Sequence, residues 1–182
     1  LGAGGSVTAP AVFIGYSIDR GPDGYTSFPD DLDLKGKIAV MLRFEPIGEN
    51  GWSLWRDGEE GWTGRTSFTG KLRAAADRGA AGIIIVNPSG TKDKRAGQLR
   101  APGGTASSLQ DVPVLHMTTE AGERLFSYAL GNQTLADLRK AADAGRFALQ
   151  LPGELHIEAK LDQEQTRAEN IVAVLPGKGR LK

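Results

Sequence analysis

Two histidines, His116 and His156, and no cysteine at all bound the chemistry this chain can perform. The lack of cysteine removes thiol nucleophiles, zinc knuckles, iron–sulfur clusters and disulfides together, while saying little about compartment. Zinc sites take three or four ligands from His, Cys, Asp or Glu at recognisable spacing. His116 lies inside the apolar run Val114-Leu115-His116-Met117. His156 alternates with apolar residues and shares a strand face with Glu158; such a pair can hold a metal, but it reads more simply as a solvated strand face. A small hydrolase built on either histidine would need it in a pocket beside a carboxylate or serine, and no Gly-x-Ser-x-Gly elbow is present. Gly36-Lys37 and Gly70-Lys71 lack the upstream glycine of a phosphate loop. The clusters Gly2-Ala3-Gly4-Gly5 and Gly177-Lys178-Gly179 lack the strand-before, helix-after setting. Asp30, Asp31 and Asp33 offer calcium oxygens but read more simply as a solvated turn. Asn132-Gln133-Thr134 fits a glycosylation sequon but reads more simply as a helix C-terminus running into a threonine helix cap. The chain therefore reads as non-catalytic, with no metal ligand and no cofactor of its own.

The feature that points to binding is a loop from Gly48 to Gly64 carrying all three tryptophans, Trp52, Trp55 and Trp62, among Asp57, Glu59, Glu60 and glycines. Tryptophan dominates binding hot spots when exposed; the same residues can fold back over the edge of a core. Both readings stand at this point. A second long loop, Asn87 to Asp111, carries Lys92, Lys94, Arg95 and Arg100 and reads as a solvated loop.

The elements that must position these loops follow from periodicity. Strands are predicted at Val12–Tyr16, Ile38–Leu42, Gly82–Val86, Val112–Met117, in the alternating stretch Leu155–Leu161, and at Ala168–Leu175. Helices are predicted at Phe68–Arg78, started by Thr66 or Ser67 and stopped by Gly79, then at Thr118–Leu130 and Thr134–Ala144. Leu72 to Gly79 echoes Leu138 to Gly145, but the continuations differ, so the echo is shared helix grammar ending in glycine and not a duplication. The 182 residues, 40% hydrophobic, suit one domain, and 22 basic against 22 acidic residues leave a formal net charge of +0. Such a balance gives no electrostatic reason to seek nucleic acid or anionic lipid, and no run approaches a membrane span. No signal peptide is visible, but the chain begins at Leu1 and not Met, which leaves room upstream for a leader or a preceding domain.

Several segments resemble those of protease-associated (PA) domains. Val12-Phe13-Ile14-Gly15-Tyr16 followed by Asp33-Leu34-Lys35-Gly36-Lys37-Ile38-Ala39-Val40 is similar to the family's opening. Phe68, Lys71, Ala75 and Arg78-Gly79-Ala80-Ala81-Gly82-Ile83-Ile84-Ile85-Val86-Asn87 resemble its central helix-to-strand signature, and Val112-Pro113-Val114-Leu115 its next strand. Glu169-Asn170-Ile171-Val172-Ala173-Val174-Leu175-Pro176-Gly177 looks like the segment preceding the catalytic core of zinc aminopeptidases related to aminopeptidase Y and glutamate carboxypeptidase. In those enzymes a PA domain is inserted into the peptidase domain.

The resemblance implies an α/β fold of three layers, β/β/α, with mixed sheets flanked by helices; the six or seven strands and three helices read from periodicity agree in kind. It implies a PA domain over 11–177, preceded by a linker or fraying N-terminus at 1–10 and followed at 178–182 by the start of a connection to a catalytic domain. The His-x-Asp ligand motif of such peptidases would lie beyond Lys182, so no zinc ligand carries over and zinc belongs to the parent enzyme. The implied role is a lid or docking surface in an extracytoplasmic aminopeptidase, facing the adjacent peptidase domain and a peptide or protein substrate. Trp52, Trp55, Trp62 and Arg100 are the candidate contact residues. The rival is a free-standing module that captures peptide or glycan through the tryptophan loop.

Overall fold

The computed structural model describes residues 4–100 and 112–160. In it the strands are β1 (Gly5–Phe13), β2 (Ile38–Leu42), β3 (Gly82–Val86), β4 (Val114–Met117) and β5 (Leu149–Ala159); the helices are α1 (Phe68–Ala76), α2 (Thr119–Leu130) and α3 (Leu135–Asp143). β2 and β3 are the continuous apolar runs Ile-Ala-Val-Met-Leu and Gly-Ile-Ile-Ile-Val, buried at every position. Such runs suit central parallel strands covered on both faces. They take that place in a single mixed sheet of order β4-β3-β2-β1-β5. The pairs β1–β2, β2–β3 and β3–β4 are parallel, and β5 closes the sheet antiparallel to β1.

Side chains alternate across a strand with period two, so the sheet divides the core. Ala11, Phe13, Ile38, Val40, Leu42, Ile84 and Val86 face Phe126 of α2 and Leu135, Leu138 and Ala142 of α3. Val12, Ala39, Met41, Ile83 and Ile85 face Phe68, Leu72 and Ala75 of α1. The predicted mixed sheet flanked by helices is present; among the described residues it is one sheet with a helix layer on each face. Helix α2 can lie this close because residue 122 is glycine: a Cβ there would collide with a Val86 methyl.

The helix ends follow local chemistry. Thr134, the sequon threonine, caps α3 in a reciprocal box with Asp137. Gly79 and Gly145, the ends of the two echoing segments, both stand at positive φ, +84° and +81°, the left-handed conformation that glycine adopts without strain. Asp33 bonds the Lys35 amide at 2.9 Å and Asp30 pairs with Arg146 on the surface, as befits a solvated turn.

The structure corrects the sequence reading at its edges. Residues 5–10, expected to be linker, form the first two-thirds of β1 and pair with β5 from Gly5↔Ala159 to Pro10↔Glu154. β1 ends at Phe13, and the chain turns away through Gly15 at φ +58°. β5 starts six residues before the expected Leu155, running through Pro152 and Gly153. The register slips between Pro10 and Val12, where proline offers no amide to the ladder. The strand expected at Ala168–Leu175, and all of 161–182, lie outside the described residues.

Candidate functional site

β1 to β4 run parallel, so the chain leaves β1, β2 and β3 at one edge of the sheet, and in parallel sheets this carboxyl edge is where ligand crevices form. The tryptophan loop emerges there after β2. Its fastening is a carboxylate: Glu45, three residues past β2 and fully buried, accepts bonds from Ser53 Oγ (2.6 Å), the Thr63 amide (2.7 Å) and Thr63 Oγ1 (2.5 Å). One side chain thus ties the middle and the end of the loop to its start. The bridge Ile47↔Ser53 and the bonds Gly48 N–H to Trp52 O and Leu54 N–H to Pro46 O close the first turn.

Beneath lies Lys71 of α1, 2% exposed, whose Nζ donates to the carbonyls of Leu42 and Phe44. Burial pushes this ammonium down to about 7, with the nearby Glu45 charge opposing the shift and Arg43 adding to it. The Phe44 backbone is held at φ +67°, a conformation a bulky residue adopts only when its surroundings impose it. Those surroundings are the Lys71 bond and a Trp62 ring stacked on Phe44 at 4.5 Å and 10°.

All three tryptophans are half-buried. Trp62 adds a bond from Nε1 to Asp93 Oδ2 at 2.7 Å, and Trp52 tilts against it at 5.8 Å. Trp62 thereby joins the two long loops. Asp93 is held down at about 2, chiefly by the Arg95 side chain that bonds both its oxygens, against the opposing effect of burial. Trp55 lies apart: it packs edge-on to Tyr25 at 5.1 Å and lines a hollow of about 320 Å³ with Leu54, Tyr25 and Arg146. Leu54 beside it is 51% exposed.

Arg100 meets the tryptophan layer only indirectly. Its guanidinium lies 5.5 Å from the Phe68 ring, and Arg43 bridges from Phe68 (5.7 Å) to Phe44 (4.7 Å) under Trp62. Arg43 itself is nearly buried and donates to the carbonyls of Arg95 and Gln98, pinning the second loop. The Arg100 amide donates to His116 Nδ1 at 3.0 Å, which leaves His116 Nε2 to donate to Asn87 Oδ1 at 2.8 Å. Burial first, and Arg43 second, push His116 down to about 4, so the imidazole is neutral and serves as a loop clasp. His156 bonds Thr8 across the sheet. Neither histidine meets a carboxylate or serine among the described residues, and there no three of His, Asp and Glu come together as a metal seat. No described helix is long and apolar enough to cross a membrane.

A second, larger cleft of about 720 Å³ lies beside α1, between the segment after β1 and the end of the tryptophan loop, walled by Asp19, Arg20, Arg65 and Arg78 over a floor of Gly70 and Ala74. Sequence reasoning missed this cleft, Glu45, and the anchoring role of Lys71, which it placed only in the helix-to-strand signature. The anchors did leave a trace: Arg43 and Glu45 interrupt an otherwise apolar run, and Lys71 falls on the buried face set by Phe68, Leu72 and Ala75. The cleft left none, since its cations come from three separate segments.

The sequence profile of the PA domain family matches residues 7–125. No curated protein matches the chain. Among solved structures, an aminopeptidase from Aneurinibacillus sp. strain AM-1 is similar at 19% identity and a TM-score of 0.41, covering 86% of this chain and 27% of its own length. The chain thus spans about a quarter of that aminopeptidase.

Proposed function

The chain belongs to the PA domain family, and on that premise we propose that it is the non-catalytic domain of an exported zinc-dependent aminopeptidase, serving as a lid or docking surface beside the catalytic domain. The observation that supports this reading is the tryptophan loop, fastened by Glu45 at the carboxyl edge of the sheet. A half-buried aromatic surface on a fixed base can position a peptide and exclude water while performing no chemistry itself. The zinc of the parent enzyme would take its ligands elsewhere in that protein, and no residue described here is assigned to it. Extracytoplasmic residence follows from the same proposal.

Two measurements test it. The purified 182-residue chain, with and without added zinc, should not turn over an aminoacyl anilide; zinc-dependent turnover by this chain alone overturns the proposal. In the polypeptide encoded by the whole gene, Trp62→Ala should impair cleavage of longer peptides more than of a single aminoacyl anilide. Equal effects on both would place Trp62 outside substrate contact.

A second reading, a free-standing peptide- or glycan-binding module, draws on the exposed Leu54 beside the Trp55 hollow. Saturable binding of an oligosaccharide or peptide that Trp55→Ala abolishes, in a chain whose gene ends without a peptidase domain, would favour it.

A further inference from the structure

The whole chain is electrically balanced, yet the wall of the cleft beside α1 carries four cations, Arg20, Arg65, Lys71 and Arg78, against the single carboxylate of Asp19. These cations are not equivalent. Lys71 is spent on the carbonyls of Leu42 and Phe44. Arg78 is neutralised by Asp19 at 2.7 Å and rests on the Phe28 ring at 3.7 Å. Arg20 and Arg65 have no ion-pair partner among the described residues.

Arg65 is moreover held ready. Its Nε donates to the Arg20 carbonyl at 3.1 Å, and its guanidinium lies 5.7 Å from the Trp55 ring. Its two terminal nitrogens have no hydrogen-bond partner among the described residues. A guanidinium fixed through Nε, with its terminal fork open, is the arrangement that takes a carboxylate through two parallel bonds. Ser67, at the head of α1, also lines the cleft and makes no capping bond to its own helix.

The shape selects the ligand further. Ser67 and Ala74 both line the cleft, seven residues and so about 10 Å apart along the helix axis, the length of about three residues of extended chain. The floor between them is Gly70, above whose Cα nothing comes within 4 Å of a Cβ position. A lone phosphate or acetate would leave most of the cleft empty, whereas an extended peptide backbone can lie over Gly70 and Ala74.

We propose that the cleft between the Ser17–Arg20 segment and α1 binds an acidic peptide segment in extended form, with Arg20 and Arg65 receiving its carboxylates. This site borders the end of the tryptophan loop at Gly64 and Arg65, but it does not depend on the role proposed for that loop. Its test is a binding titration of the 182-residue chain at low ionic strength, using a dye-labelled hexapeptide with three consecutive glutamates and its glutamine counterpart. The glutamate peptide should saturate, and the glutamine peptide should bind at least about tenfold more weakly.

Two variants read different features of the cleft. The double substitution Arg20→Gln with Arg65→Gln removes both surface charges and should weaken binding of the glutamate peptide by about tenfold or more. Gly70→Glu sets a carboxylate in the open floor and should abolish binding while leaving the melting temperature unchanged or raised, since glycine is the poorer helix former. Equal binding of the two peptides, or no saturable binding, overturns the proposal. So does undiminished binding by both variants, or displacement by inorganic phosphate at concentrations matching the peptide's own.

Discussion

Replacing Glu45 by alanine removes the one group that ties both arms of the tryptophan loop to the sheet. Three hydrogen bonds go at once, from Ser53 Oγ, the Thr63 amide and Thr63 Oγ1. Each is a bond to a charged acceptor, worth about 1.5–3 kcal/mol taken singly. They share one side chain, so their losses do not add. Lys71, fully buried beneath, also loses the carboxylate whose charge opposes its desolvation, and orphaning a buried charge costs about 3–5 kcal/mol when the partner is in direct contact. Glu45 and Lys71 interact through space without an ion pair, so this contribution falls below that range, and together with the shared bonds the total comes to about 4 kcal/mol. Urea unfolding followed by far-ultraviolet circular dichroism measures that loss. Tryptophan emission in the native baseline should shift to longer wavelength as Trp52 and Trp62 gain water. A loss below about 1 kcal/mol with unchanged native emission would refute the argument that Glu45 fastens the loop.

The remaining expectations concern glycine and protons. Gly70→Ala, with open space over its Cβ, should stabilise the chain by about 0.5–1 kcal/mol in the same urea assay. Gly122→Ala should do the reverse, by about 1–3 kcal/mol, because its methyl meets Val86 between α2 and β3. His116 sits at about 4 in the folded chain against an ordinary 6.5, so the folded state binds fewer protons in that window and stability should fall as pH drops from 6.5 to 4. The full shift corresponds to about 3 kcal/mol, discounted to about 2 because the ring is only half-buried; His116→Gln should remove this slope. Asp93, held at about 2 against 3.8, adds stability of about 2 kcal/mol that is complete above pH 4 and lost as pH falls through 2, and Asp93→Asn should abolish this last step in an acid titration.

Elements fixed by local chemistry are legible in the sequence. β2 and β3 appear at their predicted bounds because a fully buried strand announces itself as an unbroken apolar run. The helices follow within two residues, since Thr134 and Gly79 act through bonds to their own neighbours. β1 and β5 were cut short for the opposite reason. The part of each strand that the pattern misses is held by pairing with the other strand, far away in sequence, from Gly5↔Ala159 to Phe13↔Leu149, and Pro10 and Pro152-Gly153 argue locally against a strand. The site divides the same way. Three tryptophans in a charged loop are conspicuous in sequence, but the depth to which each sinks depends on Glu45, Phe44 and Asp93, which are separated from one another or out of pattern. Arg20, Arg65 and Arg78 form one cleft wall only after β1, the loop and α1 converge.

The fastening of the tryptophan loop bears on how a lid made from this chain would work. Trp55 packs on Tyr25, whose hydroxyl donates to the Ala142 carbonyl at 2.8 Å. The next residue, Asp143, accepts from Tyr16 and from the Ile47 amide at the base of the same loop. The loop is therefore clamped to α3 near its start and at Trp55, to the sheet through Glu45, and to the second loop through Trp62 and Asp93. A segment restrained at four points has little entropy left to lose when a ligand arrives, which favours binding, and it is poorly suited to swing on its own as a gate. Closure over a substrate would then come from movement of the domain as a body, with the tryptophan surface and the Arg65 fork carried together, because Trp55 supports both.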